Sequence, residues 1–292
     1  MPTLLGRRAI SKVGRTSMKI ILSRKGFDSG YGGIASPVLP DGTLLSLPIP
    51  TTERGVTYDE LLCSVGQSYQ DVIKQLTKSS IKVEGEGIFP IAELSCHLDP
   101  DVRYETYPRK SGWKGIFGQA GSALSHLENN GVNVGDVFLF FGWFRKTIIE
   151  NGQLKYDPTC KGFHAIYGYL QIDKIEKIKE TIFDEWAEYH PHVRRGEEAK
   201  PLDAVYISSE TLSCLPKYKG YGTFNYSEKI ILTKEGHTRS RWLLPEHFRN
   251  YKISYHSENS WKNDYFQSAA KGQEFVIDGD ENLQDWLKSL FL

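Results

Sequence analysis

The sequence lacks most of the signatures that tie a chain to one chemistry. Its four cysteines, Cys63, Cys96, Cys160 and Cys214, lie tens of residues apart with no C-x-x-C pair. That spacing argues against a zinc ribbon or a disulfide framework and fits a reducing compartment. No apolar run approaches the roughly 18 residues that cross a bilayer, and the N-terminus has no apolar core of the secretory kind; a cytoplasmic location is expected. An excess of charge is missing too, since 36 basic and 36 acidic residues cancel, so contact with nucleic acid would need a local patch. Walker, G-x-G-x-x-G, G-x-S-x-G and H-E-x-x-H patterns are absent, as is an H-x-E with a P-C-x-x-C pair, which weakens nucleoside triphosphatase, serine hydrolase, zincin and zinc deaminase readings. There is no internal repeat and no low-complexity tract.

What is present is an ordinary globular composition, 39% hydrophobic and 25% charged, with 12% aromatics that favour β structure and offer flat faces for a base. Residues 1–17 carry four cations and no acid and read as a basic, disordered tail. From Met18 the chain reads as one elaborated α+β domain to residue 292, with 190–203 as the sole candidate boundary. A buried strand at 18–23 leads into a glycine loop. A hairpin-like segment at 36–50 turns on Pro40-Asp41-Gly42. A helix is expected over 57–76 with Thr57 as N-cap, and a second over 115–132 closed by Gly131. The apolar strand in 133–146 and the strand in 162–178 read as neighbours in a mixed sheet or small closed barrel. A helix at 180–189, strands at 204–208 and 228–233, and a C-terminal amphipathic helix starting near Asn282 complete the pattern.

Polar residues concentrate at a few places. The opening loop, Ser23-Arg-Lys-Gly-Phe-Asp-Ser-Gly-Tyr-Gly-Gly33, has the composition of an anion-binding concavity, with Arg24 and Lys25 adding charge and Gly32 and Gly33 adding backbone freedom. Asp28 and Ser29 are candidates for ligand contacts or base catalysis, and equally for capping a tight turn. The second cluster is His97, Asp99 and Asp101 in "CHLDPDVR". At a spacing of two these residues share a face of an extended chain and suit acid/base or divalent-metal chemistry; the alternative is an Asp-Pro-Asp turn neutralised by Arg103. Trp143 and Arg145, near the end of the apolar strand, and His164, on its neighbour, could stack a base and contact phosphate. "KYKGYGTFNY" at 217–226, and Arg241, His247, His256 and Glu258 further on, could join them only through the fold.

The stretch "KIILSRKGFDSGYGG…SPVLPDGTLLSLPIP" together with "HLDPD" and "GDVFLFFGWFR" resembles the third family of nucleotide modification associated domains, found in bacteria and phages beside systems that modify DNA bases. The resemblance runs from residue 18 to about 260. It implies a role with nucleotides or nucleic acids whose bases are altered, and by motif it falls on Arg24, Lys25, Asp28, Ser29, Gly32, Gly33, His97, Asp99 and Asp101. Where the family pattern is expected to continue with an acid after Pro50, this chain has Thr51. The "GDVFLFF…GYLQI" pair separately resembles the strands of PUA and ASCH base-recognising barrels.

Two functional readings follow. One is an enzyme acting on a nucleotide or nucleic-acid base, with phosphate on the Arg24-Lys25 loop and Asp28, His97, Asp99 and Asp101 doing the chemistry. The other is a binding module that recognises a modified base in DNA or RNA without transforming it. The enzyme is preferred, because a binder has little use for a clustered imidazole and two carboxylates. A purely structural protein is a third class. No particular cofactor is indicated, and the expected partner is a nucleotide or nucleic acid and not a membrane.

Overall fold

The computed structural model describes residues 18–270 and 272–292; the basic N-terminal stretch lies outside them. The first strand, β1 (Lys19–Arg24), centres on the apolar run Ile20–Leu22 and is buried on both faces, the pattern of a strand inside a sheet. Its neighbours form a nine-stranded mixed sheet, built also from β2 (Ser36–Val38), β3 (Ile116–Ala120), β4 (Val137–Glu150), β5 (Gln153–Tyr156), β6 (Phe163–Lys177), β7 (Asp203–Ser208), β8 (Tyr221–Thr223) and β9 (Glu274–Asp278). The principal order is β9-β1-β4-β6-β7-β3. β1 runs parallel to β4, with Leu22 opposite Leu139, and antiparallel to β9. β4 and β6 are antiparallel neighbours, as their sequences suggest, with a register shift between Ile166 and Gly168 that bends the long pair.

The fold is α+β, and no closed barrel forms among the described residues. The sheet instead curls until its edges meet through side chains: Gln119 Nε2 on β3 donates to Glu274 Oε1 on β9 at 2.7 Å. Among the described residues three α-helices flank the sheet and its loops: α1 (Tyr69–Leu76), α2 (Gly121–Asn129) and α3 (Glu281–Ser289). Leu124 and Leu127 of α2 and Leu283 and Leu287 of α3 join the core of Phe138, Phe140, Phe141 and Phe275. Asp280 caps α3, one of the acids just before Asn282. No helix among the described residues is long and apolar enough to cross a membrane.

Three helices differ from the expectation: the one expected over 115–132 is confined to α2, because Ile116–Ala120 pairs with β7 as strand β3, and those expected over 57–76 and 180–189 are shortened or lost. Between Thr57 and Ser68 the chain is diverted by Gly66, at φ +76°, and by a hydrogen bond from Leu62 N to Thr106 O; α1 begins after Ser68, whose hydroxyl accepts from Asp71 N. Residues 180–189 hold only 3₁₀ turns, Ile178–Glu180 and Glu185–Ala187. The expected strand at 228–233 begins as the 3₁₀ turn Glu228–Ile230. The Pro40-Asp41-Gly42 turn does form, with Gly42 N donating to Leu39 O. The segment beyond it, Ile49–Thr51, pairs with Ser95–His97, setting Ile49 opposite His97.

A candidate polar cleft beside the first strand

At the end of β1 the chain leaves the sheet and makes its glycine turn. Asp28 Oδ1 accepts from Gly30 N at 2.7 Å and Tyr31 N at 2.8 Å, while Gly33 N bonds Asp28 O and Gly32 N bonds Lys82 O. The loop therefore spends these N–H groups on itself and on the 80–83 strand, and they do not converge on an anion. Gly32 is obligatory: its φ is +76°, and a Cβ there would lie 2.0 Å from the Phe27 ring. The cations are engaged as well. Lys25 Nζ pairs with buried Glu274 Oε1 at 2.8 Å, and the Arg24 guanidinium donates to the carbonyls of Ala269 and Ala270 at 2.7 and 3.1 Å.

This loop forms one wall of a cleft of about 480 Å³ whose lining includes Arg24, Lys25 and Asp28 together with His97, Asp99 and His192. Asp99 Oδ1 is tied from behind, by Gly118 N at 2.8 Å and His190 Nε2 at 3.3 Å. Its Oδ2 faces His192 Nε2 at 3.6 Å and His97 Nδ1 at 3.9 Å. His192 is oriented in turn by Asp203, whose Oδ1 lies 2.5 Å from Nδ1 and whose Oδ2 takes Arg195 at 3.1 Å. A carboxylate accepts only, so Nδ1 carries a proton, and Nε2 is the nitrogen turned toward Asp99 and the cleft. Burial pulls the His97 imidazole down to about 3, against the field of Asp99, so the ring is neutral at ordinary pH. Burial opposes the charge on Asp99, but the hydrogen bond from His190 and the fields of His190 and His192 outweigh it, and the carboxyl is held well below its ordinary range.

Gly118 on β3 makes this arrangement possible: a Cβ there would sit 2.2 Å from the His192 ring. Gly118→Ala is expected to push His192 out of place and to lower unfolding stability by about 1–3 kcal/mol, the usual cost of overpacking. Urea denaturation measures it, and an unchanged midpoint would contradict the packing described.

Of the residues singled out from sequence, Arg24, Lys25, Asp28, His97 and Asp99 come together here. Asp101 does not: it is buried in a separate network, paired bidentately with Arg109. Ser29 lines an adjoining cleft of about 360 Å³ with Trp143 and His164; there Arg239 already stacks over the Trp143 ring at 4.2 Å, and His164 Nδ1 accepts from the buried indole of Trp242 at 3.1 Å. Arg145 faces elsewhere and holds the carbonyls of Asp157 and Cys160, each at 2.9 Å. His190, His192 and Asp203 belong to the stretch that reads in sequence as a polar break. The signal was the His-Pro-His triplet 190–192, which sets two imidazoles at the same spacing of two as His97 and Asp99.

Residues 19–278 match the model of the family described as nucleotide modification associated domain 3. The match spans most of the chain, which therefore belongs to that family. No curated protein and no solved structure matches the chain.

Proposed function

We propose that this member of the nucleotide modification associated domain 3 family binds a nucleotide or a nucleic-acid base in the cleft beside β1 and acts on it there as an enzyme. The observation that carries the reading is the meeting of the glycine turn with the His97–Asp99 segment in one concavity, of the size that takes a small ligand. Family membership supports the substrate class, and a buried carboxylate among three imidazoles supports chemistry over simple recognition. Asp28 stands at the loop wall to accept from a base edge or hydroxyl, while His97, Asp99 and His192 face the reacting group. The positive wall is Arg24, Lys25, Arg195 and Lys200. Of these, Lys200 is exposed and makes no ion pair among the described residues, so it is the cation best placed to meet phosphate.

Calorimetric titration with deoxynucleoside monophosphates and short single-stranded DNA tests the site. Lys200→Ala is expected to weaken binding roughly three- to tenfold and to flatten its salt dependence, as loss of one phosphate contact does. Mass spectrometry of the incubated oligonucleotide tests the chemistry. Affinity that is unchanged in Lys200→Ala and also in Asp28→Asn would remove the cleft from consideration.

A further inference from the structure

We infer that His97, Asp99 and His192 hold one divalent transition-metal ion at the floor of the cleft. One ligand atom from each of the three lies within 4.8 Å of the others. The two approaches to Asp99 Oδ2, 3.6 Å from His192 Nε2 and 3.9 Å from His97 Nδ1, are too long for hydrogen bonds. They are close to the separation of about 3–4 Å between two ligands that each bind one ion at about 2.0–2.2 Å. Three polar atoms thus lie within reach of one ion, with neither imidazole bonded to Asp99 Oδ2.

Two of the ligands, His192 and Asp99, are also braced from outside the centre, as metal ligands usually are. Asp203 engages His192 Nδ1 and leaves Nε2 turned toward Asp99. Gly118 N and His190 Nε2 occupy Asp99 Oδ1 and leave Oδ2 inward. The pairing of Ile49 with His97 sets the end of the Ser95–His97 strand beside them. His190 is fully buried and lies behind Asp99, outside the cleft lining; it positions the carboxylate and is not a ligand. A cation bound between the three ligands would compensate the buried carboxylate and both inward imidazole nitrogens at once.

The donor set defines the class of ion. Two imidazoles and a carboxylate, with no thiolate, suit Fe²⁺, Mn²⁺, Co²⁺ or Zn²⁺ and discriminate against Mg²⁺ and Ca²⁺, which require oxygen. Three protein ligands leave coordination positions open, and all three residues line the cleft, so the open face is the one a guest or water reaches. The ion stands on these three side chains alone; that its open face meets a nucleotide rests on the function proposed above.

The test uses the full chain, stripped with chelator and titrated with Co²⁺ alone, followed by visible absorption and calorimetry, with Zn²⁺ as competitor. One Co²⁺ per chain is expected, displaced by Zn²⁺ and not by Mg²⁺. His97→Gln and Asp99→Asn should each weaken it by more than about 100-fold, and Asp203→Asn, acting only through His192, by roughly 10- to 100-fold, with circular dichroism unchanged. His97 is on the cleft surface, so His97→Gln carries the test should Asp99→Asn fail to fold. A folded wild-type chain that takes up neither Co²⁺ nor Zn²⁺ at millimolar concentration, or uptake that His97→Gln leaves intact, overturns the assignment. Metal uptake without nucleotide binding would overturn the substrate reading and leave the metal centre standing.

Discussion

Replacing Arg109 with methionine is expected to lower the free energy of unfolding by about 3–5 kcal/mol, the cost of stranding a buried charge whose partner has been removed. Both side chains of the Arg109–Asp101 pair are about 1% exposed. The guanidinium reaches Asp101 through two nitrogens, at 2.5 and 2.7 Å. It also donates to the carbonyls of Arg103 and Tyr104 at 2.7 and 2.9 Å, and lies 4.3 Å from the Trp113 ring centroid. The Tyr189 hydroxyl bonds both partners and accepts from the Trp113 indole. This network joins the segment after Asp99 to the segment that carries His190 and His192, so its loss should also loosen the cleft floor. Urea denaturation gives the magnitude. The control is the double variant Asp101→Leu, Arg109→Met, which leaves no orphaned charge and should recover much of the loss. A decrease below about 1 kcal/mol in Arg109→Met would mean that the pair is solvated and structurally idle.

Acid should destabilise the protein well above the range in which carboxylates protonate, and His164 is one identifiable cause. Burial holds its imidazole down at about 3, and Arg24 and Arg239 disfavour the cation further. The ring is packed edge-on against Phe141 and Trp242. In the unfolded chain the same group titrates near 6.5. Between those values the unfolded chain binds a proton that the folded chain refuses, so stability is full above pH 6.5 and falls as the pH drops toward 3. Between pH 7 and pH 4 this one residue accounts for about 3 kcal/mol, at 1.36 kcal/mol per unit. His164→Gln keeps an acceptor for the Trp242 N–H and removes the proton site. Its pH 7 to pH 4 loss of stability should be smaller than that of the wild type by about that amount. Identical losses in the two proteins would show that His164 titrates normally in the fold.

Much of the scaffold was legible because it depends on local pattern. The apolar run Ile20–Leu22, the Pro40-Asp41-Gly42 turn, the long strands around Phe138–Phe141 and Ile166–Leu170, and the acid-capped terminal helix each carry their own periodicity or turn chemistry. The helix expected over 57–76 failed where a long-range bond, Leu62 N to Thr106 O, and a left-handed glycine overrode the spacing of the apolar residues. At the site, the sequence pointed to the glycine loop and to His97 and Asp99. It suggested Arg24 and Lys25 as free cations, whereas the fold closes them onto Ala269, Ala270 and Glu274.

Local pattern in the sequence determined an α+β protein with polar chemistry concentrated at two short segments, and the resemblance of its motifs, together with the family match over residues 19–278, determined the nucleotide modification associated kind. Which carboxylate of "HLDPD" faces the cleft, and that His192 and Asp203 complete its floor, was decided only in three dimensions. The reason is physical. Strand and turn preferences act over a few neighbouring residues, whereas the choice between Asp99 and Asp101 turns on which of them meets Arg109 and which meets Gly118 and His190, partners that only the packing of distant segments supplies.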